Sequence, residues 1–339
     1  MRISSITKRV FAALSLIVLS SIGHAEEVNV YSYRQPFLVE PLFEKFTETT
    51  GIKVNVVFAK KGLNERLEQE GRNSPADLIF TVDIGRLFDA TEKDLTQSVN
   101  LEKLNENIPA QYRDPDGHWF GLTTRTRSIY ASKERVDLSK IKNYEDMSKP
   151  EWKGRICTRS GKHPYNLALI ASMIAHNGEA QTKEWLKGVK ANLAQKPQGN
   201  DRAQVKAIKE GVCDISLGNN YYYGKMLMDE EQKSWAEAVN ITFPNSDNRG
   251  THVNISGMAM AKYAPNKAAA EKLMVFLSEE TAQKIYSEEN FEYPVNPKVA
   301  PSKLINSWGE FKSDTLPLVE IAKLRKQAAQ LVDQVGFDD

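Results

Sequence analysis

The stretch "VCDISLGNNYYYGKM", Val212 to Met226, runs from a short apolar strand pattern through a polar turn into a helix start carrying three adjacent tyrosines. A strand that ends in turn residues and feeds a helix is the repeating half of an α/β layer fold. The same plan occurs earlier, in "GRICTRSGKHPYN" (Gly154 to Asn166). Cys157 stands eight residues before Tyr165, as Cys213 stands eight before Tyr221.

Outward from these two units the alternation continues. "EVNVYSY", "IKVNVVFA" and "ADLIFTV" read as strands, and "LVEPLFEKFTETTG" and "LNERLEQEG" between them read as helices. The first hundred residues therefore go β-α-β-α-β. Later, "DRAQVKAIKEG" reads as an amphipathic helix and "HVNISGMAMAKYA" as a long strand. "PNKAAAEKLMVFLSEETAQKIYSEE" reads as a helix pair, and the tail from Pro301 is mostly helical. With no long flexible linker, two α/β lobes must be joined by ordered crossings. The best candidates are "GLTTRTRSIYAS" (Gly121 to Ser132) and the segment around Asn245 to Asn254. This divides the chain into lobes of residues 26–126 with 246–300, and 127–245 with 301–339.

The N-terminus differs in kind. Arg2, Lys8 and Arg9 precede the apolar run Val10 to Gly23, and "GHA" leads to Glu26. That is the pattern of a secretory signal peptide over residues 1–25, cleaved after Ala25. It is too short for a bilayer span of about 20 apolar residues. The expectation is an exported, periplasmic protein. Its removal changes the charge balance from 45 basic against 44 acidic residues to 42 against 44, a net of −2. Such a chain lacks the basic excess that nucleic-acid binding requires. In an oxidising compartment the two cysteines, Cys157 and Cys213, favour a disulfide over two buried thiols. Closing that loop would stabilise the fold by roughly 4 kcal/mol in the chain-entropy picture.

No dinucleotide glycine motif, phosphate loop, H-E-x-x-H or G-x-S-x-G is present, and His118, His163, His176 and His252 show no ligand-like pairing. A secreted hydrolase would need a nucleophile–base pair, and none is recognisable. A bonded Cys157–Cys213 pair would bring Tyr165, Tyr221 and Tyr222 to the carboxyl end of one sheet, where α/β folds bind ligands. Clustered phenols can hold a hard, highly charged cation such as Fe(III), which displaces protons from groups of pKa near 10. They can equally pack a lobe interface or stack on an organic ligand.

The segments "GNNYYYGKM", "CTRSGKHPYN", "SPADLIFTVDIGRL" and "NISGMAMAKYAPNKAAAEKLMVFLSEETAQKIY" resemble the periplasmic ferric-ion-binding proteins of ABC transporters. The resemblance runs over most of the mature chain. It implies a two-lobed type II periplasmic-binding-protein fold, with a hinge and a ligand cleft between the lobes. It implies that the chain is not an enzyme but captures Fe(III) and delivers it to an inner-membrane ABC permease, as a monomer. Carried over by residue, it makes Tyr165, Tyr221 and Tyr222 the metal ligands and turns Tyr223 away. The first loop departs from the family pattern: "YSYRQP" has Gln35 and Pro36 where relatives carry histidine or tyrosine, leaving Tyr33 as the substitute ligand. Remaining coordination positions fall to water or a synergistic anion, carbonate or phosphate. Arg125 and Arg127 would neutralise the anion or the phenolates, unless one of the two is an ordinary surface residue. Ser160, Gly161 and Asn219 stand where some relatives offer donors to a phosphate. Asp83 is read as a helix cap rather than a ligand. The alternative is a binding protein of the same fold for an organic cation such as thiamine or a polyamine, caged by aromatic rings.

Overall fold

The computed structural model describes residues 26–339, so the expected signal peptide (1–25) lies outside the described residues. Among the described residues ten strands occur in chain order. They are β1 (Glu27–Ser32), β2 (Lys53–Phe58), β3 (Leu78–Thr81), β4 (Thr96–Gln97), β5 (Phe120–Ser132), β6 (Ile156–Cys157), β7 (Ile215–Asn219), β8 (Val239–Thr242), β9 (Val253–Ala261) and β10 (Tyr293–Pro294). The main path of the sheet is β2-β1-β3-β9-β5-β7-β6. The β-α-β-α-β start forms as the sequence indicates, with β1 parallel to both β2 and β3.

The decisive element is β5. All thirteen of its residues are buried, so both faces are covered. Its first half, Phe120 to Thr126, pairs with β9, and its second half, Arg127 to Ala131, pairs with β7. One strand thus belongs to two packed regions and changes partner at Thr126–Arg127. The second crossing enters β9 from the segment after β8, where Arg127 N donates to His252 O at 3.1 Å. The apolar core divides accordingly. One cluster lies around Val30, Phe43, Phe80 and Met258; another lies around Trp152, Leu169, Trp185 and Leu331.

Two local differences from the sequence reading have physical causes. The pattern "GRICTRS" gives only a two-residue strand, because the backbone after Cys157 turns to serve side chains: Arg159 O and Ser160 O both accept from Asn166 Nδ2. The sequence "GKHPYNLALIASMIAHNG" reads as a helix closed by its last glycine; the structure breaks it at Gly178, at φ 78°, ψ 163°, and then resumes it within Pro164–Ala191. Glycine tolerates that left-handed φ; a residue with a side chain would be strained.

Cys157 and Cys213 are joined, with Cα atoms 5.8 Å apart. Beside them β6 runs parallel to β7. The ends of these neighbouring strands feed the helices Pro164–Ala191 and Asn220–Leu227, which carry the tyrosines.

Candidate metal centre

Tyr165 is the second residue of its helix. Pro164 opens that helix with its preset φ, and His163 caps it by accepting from Tyr165 N at 3.3 Å. Burial and the adjacent Arg159 push the His163 imidazole down to about 3, which leaves Nδ1 neutral and able to accept. Tyr221 and Tyr222 lie in the first turn of Asn220–Leu227, with ring centroids 4.2 Å apart. Tyr165 Oη stands 3.3 Å from Tyr221 Oη. The three phenols therefore converge from two helix N-termini. Tyr223, a further 100° round the helix, packs instead on Tyr130 and Trp308.

Each neighbour of the tyrosines in "NNYYYG" has its own task. Asn219 Oδ1 accepts from Arg127 Nη1. Asn220 is fully buried; its Oδ1 accepts from Thr126 N at 2.9 Å and its Nδ2 donates to Phe291 O. The tyrosine helix is thereby fixed to the residue at which β5 changes partner. A Cβ on Gly224 would come within 2.3 Å of the Phe291 ring, so only glycine allows that approach.

Cations surround the phenols. The guanidinium carbons of Arg125, Arg159 and Arg127 lie 5.4, 5.4 and 5.9 Å from the Tyr165 ring centroid, and that of Arg202 lies 6.0 Å from Tyr222. Both Arg125 and Arg127 are buried, at 2% exposure each, so neither is an ordinary surface residue. The reason is periodicity: positions two apart on a strand share a face. Asp201, wholly buried, binds Arg127 at 2.6 Å and Arg159 at 3.1 Å and accepts from Asn219 N. Burial works against its charge, but the two guanidiniums hold its pKa below the usual carboxylate value. Burial raises Tyr221 well above an ordinary phenol, and the nearby Tyr165 and Tyr222 add to the shift. Tyr222 is raised in the same way, by burial and then by Tyr165 and Asp201.

The other expected site residues are placed as follows. Tyr33 borders the cleft, but its Oη accepts from Asn64 N at 2.8 Å and its ring lies under Arg86, 4.1 Å away. Gln35 and Pro36 begin the helix Pro36–Thr50, and Gln35 is exposed on the cleft rim. Ser160 Oγ and Gly161 N do not face the phenols. Both donate to the Asp338 carboxylate, at 2.6 and 2.7 Å, because the tail folds back over this loop. Asp83 accepts from Arg86 N at the start of Ile84–Glu92, a helix cap as expected.

Sequence reasoning missed Arg159, Asp201, Arg202, Asn220 and the pair Arg34–Glu292. Arg34 Nη2 meets Glu292 Oε2 at 2.8 Å, both buried, and Ser256 Oγ joins Arg34, Glu292 and Arg125. Burial disfavours the Arg34 charge, yet Glu292 holds it firmly protonated. The only local signal was "NN" before the tyrosines; the other partners lie far away in the chain.

The tyrosines line a cleft of about 660 Å³. Its walls carry Arg34, Lys60, Arg86, Arg125, Arg159, Arg202 and Lys225, against the carboxylates Asp229 and Glu292. Among the described residues no group of three or more His, Cys, Asp or Glu could hold a metal ion.

Comparison with known proteins accords with this architecture. The chain is 57% identical to the apo ferric ion-binding protein A of Pasteurella haemolytica, over 93% of this chain and 99% of that one, with a TM-score of 0.90. A Trichodesmium protein solved in complex with iron and citrate ligands is 42% identical over 92% of this chain and 99% of that one, with a TM-score of 0.87. Iron uptake protein A1 of Synechocystis sp. is 43% identical over 93% of this chain and 88% of its own length. The fold is that of the two-lobed periplasmic binding proteins, with the ligand cleft between lobes joined at a hinge. Residues 73–308 match the family model described as bacterial extracellular solute-binding protein. With that match over most of its length, and with close relatives along nearly all of it, the chain belongs to the bacterial extracellular solute-binding protein family.

Proposed function

We propose that this protein captures ferric iron between its lobes through the phenolates of Tyr165, Tyr221 and Tyr222 and delivers it to an inner-membrane ABC permease. The observation that carries this reading is the convergence of Tyr165 Oη and Tyr221 Oη at 3.3 Å, beside Tyr222 and beneath three guanidiniums. Positive charge there favours the ionised phenol, and hard phenolate oxygens favour Fe(III) over softer ions. The relatives named for iron uptake and ferric binding support the same cargo, and the role is binding and transport rather than catalysis.

All three ligands come from the lobe of residues 127–245 with 301–339, so iron binds there first. The lobe of residues 26–126 with 246–300 then closes over it by bending near Thr126. Closure is driven by whatever iron gains in the closed state. The coordination positions left open take water or a small anion, carbonate or phosphate, within reach of Arg125. Tyr33, with its oxygen held by Asn64, needs a rearrangement to contribute. The protein acts in the periplasm, after export by the 1–25 segment, as a monomer. An organic cation fits less well: it would meet seven basic side chains, and one of the two carboxylates is already bound to Arg34.

The test is a visible absorption titration with ferric citrate. A phenolate-to-iron charge-transfer band should saturate near one equivalent and weaken strongly in both Tyr165→Phe and Tyr221→Phe. A wild-type protein without any such band would refute the assignment.

A further inference from the structure

Tyr165 takes its position from the turn Ser160 to His163, which lies between β6 and the helix that carries it. His163 N donates to Ser160 O at 3.1 Å and closes the turn. His163 then holds the tyrosine in two ways. Its Nδ1 accepts from Tyr165 N at 3.3 Å, and its ring meets the Tyr165 ring edge-on, with centroids 4.5 Å apart. Whatever fixes Ser160 and Gly161 therefore also fixes the direction in which Tyr165 leaves the helix.

One carboxylate fixes them. Ser160 Oγ and Gly161 N donate to different oxygens of Asp338, at 2.6 and 2.7 Å. Lys162 N donates in turn to Ser160 Oγ at 3.1 Å. Bonds to an ionised acceptor are roughly twice as strong as neutral ones. Gly161 is buried, so without the carboxylate its N–H would lose its partner in a place water reaches poorly. Tyr165 lines the cleft and Asp338 does not.

The fold aims Asp338 at this turn. The helix Leu318–Val335 ends at Gly336, with φ 59° and ψ 41°. Gly336 N donates to Asp333 O and Phe337 N to Val332 O, the bond pair with which a left-handed glycine ends a helix and redirects the chain. Phe337 is then buried in the core cluster that holds Leu169 and Val332. A Cβ on Gly161 would come within 2.9 Å of the Phe337 ring and 3.0 Å of Val332, so this close meeting needs glycine. A second contact, Lys162 Nζ to Asp333 at 2.5 Å, joins side chains that are more than half exposed. Such a surface pair contributes little.

We propose that Asp338 is the positioning residue of Tyr165: a built-in anion that holds the Ser160–His163 turn and, through His163, sets where the phenol points. The Ser160 and Gly161 donors are thereby used by the protein's own tail. The consequence for iron rests on the reading of Tyr165 as a ligand; the link from Asp338 to Tyr165 is testable without iron.

The test labels the metal-free protein with 3-fluorotyrosine and follows the Tyr165 signal by fluorine-19 NMR, assigned through Tyr165→Phe. Asp338→Ala should move or broaden that signal and leave those of the distant Tyr31 and Tyr286 in place. Added formate, a carboxylate small enough for the vacated position, should return the Tyr165 signal towards wild type. A tail that acted only by packing would not respond to formate. In an iron titration the same variant should bind Fe(III) about tenfold more weakly than wild type in the same buffer, the scale on which supporting partners of a metal ligand act. Asp333→Ala, which removes only the exposed pair, should change neither readout. If Asp338→Ala does not fold, Asp338→Asn takes its place, with a smaller shift in the same direction because it keeps one acceptor oxygen. An unmoved Tyr165 signal in the folded variant, or a shift that formate leaves unreversed, overturns the proposal. A wild-type protein without an iron band would refute the ligand assignment alone, and the fluorine signal would still decide the role of Asp338.

Discussion

The guanidinium carbon of Arg125 lies 5.4 Å from the centre of the Tyr165 ring, and no carboxylate among the described residues pairs with that arginine. A buried cation without a counter-ion lowers the cost of ionising a nearby phenol. Arg125→Gln should therefore retain the tyrosines yet bind Fe(III) less tightly in acid. The pH midpoint of the charge-transfer band should rise by about one unit. A pH titration of the iron-loaded variant against wild type checks this; an unchanged midpoint would show that Arg125 does not act on the phenols.

Burial raises Tyr221 and Tyr222 above the ordinary phenol range, so both are protonated in the metal-free protein at neutral pH. Iron can bind them only by displacing those protons. Loading with ferric nitrilotriacetate in weakly buffered solution should release about three protons per iron, after correction for the chelator. The affinity should fall steeply as pH falls, because protons and iron compete for the same oxygens. Release of one proton or none would mean that neutral phenols, or other groups, hold the metal.

Tyr223 is a control inside the same motif. Its ring packs on Tyr130 and Trp308 rather than on the other phenols. Tyr223→Phe keeps the ring and should leave both the wavelength and the intensity of the iron band within error of wild type. The same holds for Tyr33→Phe if its oxygen stays on Asn64 when the lobes close. A weakened band in the second variant would make Tyr33 a ligand of the closed state.

Among the described residues Asp201 is the sole acid paired with Arg127 and Arg159. Asp201→Asn would leave the buried Arg127 guanidinium and the partly buried Arg159 facing each other, and breaking a buried pair typically costs about 3–5 kcal/mol. Urea denaturation should show a loss of that order. It should also weaken iron binding, because Arg127, which binds both Asp201 and Asn219 next to the tyrosine helix, loses its ionised partner.

Reduction of Cys157–Cys213 should lower stability by about 4 kcal/mol, given the 56-residue separation. Denaturation with and without a thiol reductant measures it. The site should survive at low denaturant, since the β6–β7 pairing and the Asn220 anchor do not depend on the sulfur bond.

Much of this was legible locally. Strand alternation, the glycine stop at Gly51, the proline-opened helix of Tyr165 and the cap at Asp83 are short-range signals, and these elements formed where their patterns lay. What stayed hidden was long-range pairing. Glu292 reaches Arg34 across 258 positions, and Asp338 takes the Ser160 and Gly161 donors across 178 and 177. Nothing near either residue announces its partner. Arg125 and Arg127 were read as an uncertain pair, although their two-residue spacing on a strand already placed them on one face.

The position of β9 between β3 and β5 has a consequence for biosynthesis. Both neighbours emerge from the ribosome well before Val253–Ala261, so the central gap stays open until most of the chain has been made. Long-range closure of this kind is slow. A chain that cannot shut its sheet early remains threadable, the condition an exported polypeptide needs while it crosses a membrane. The same strand order that later holds the cleft therefore also delays its completion.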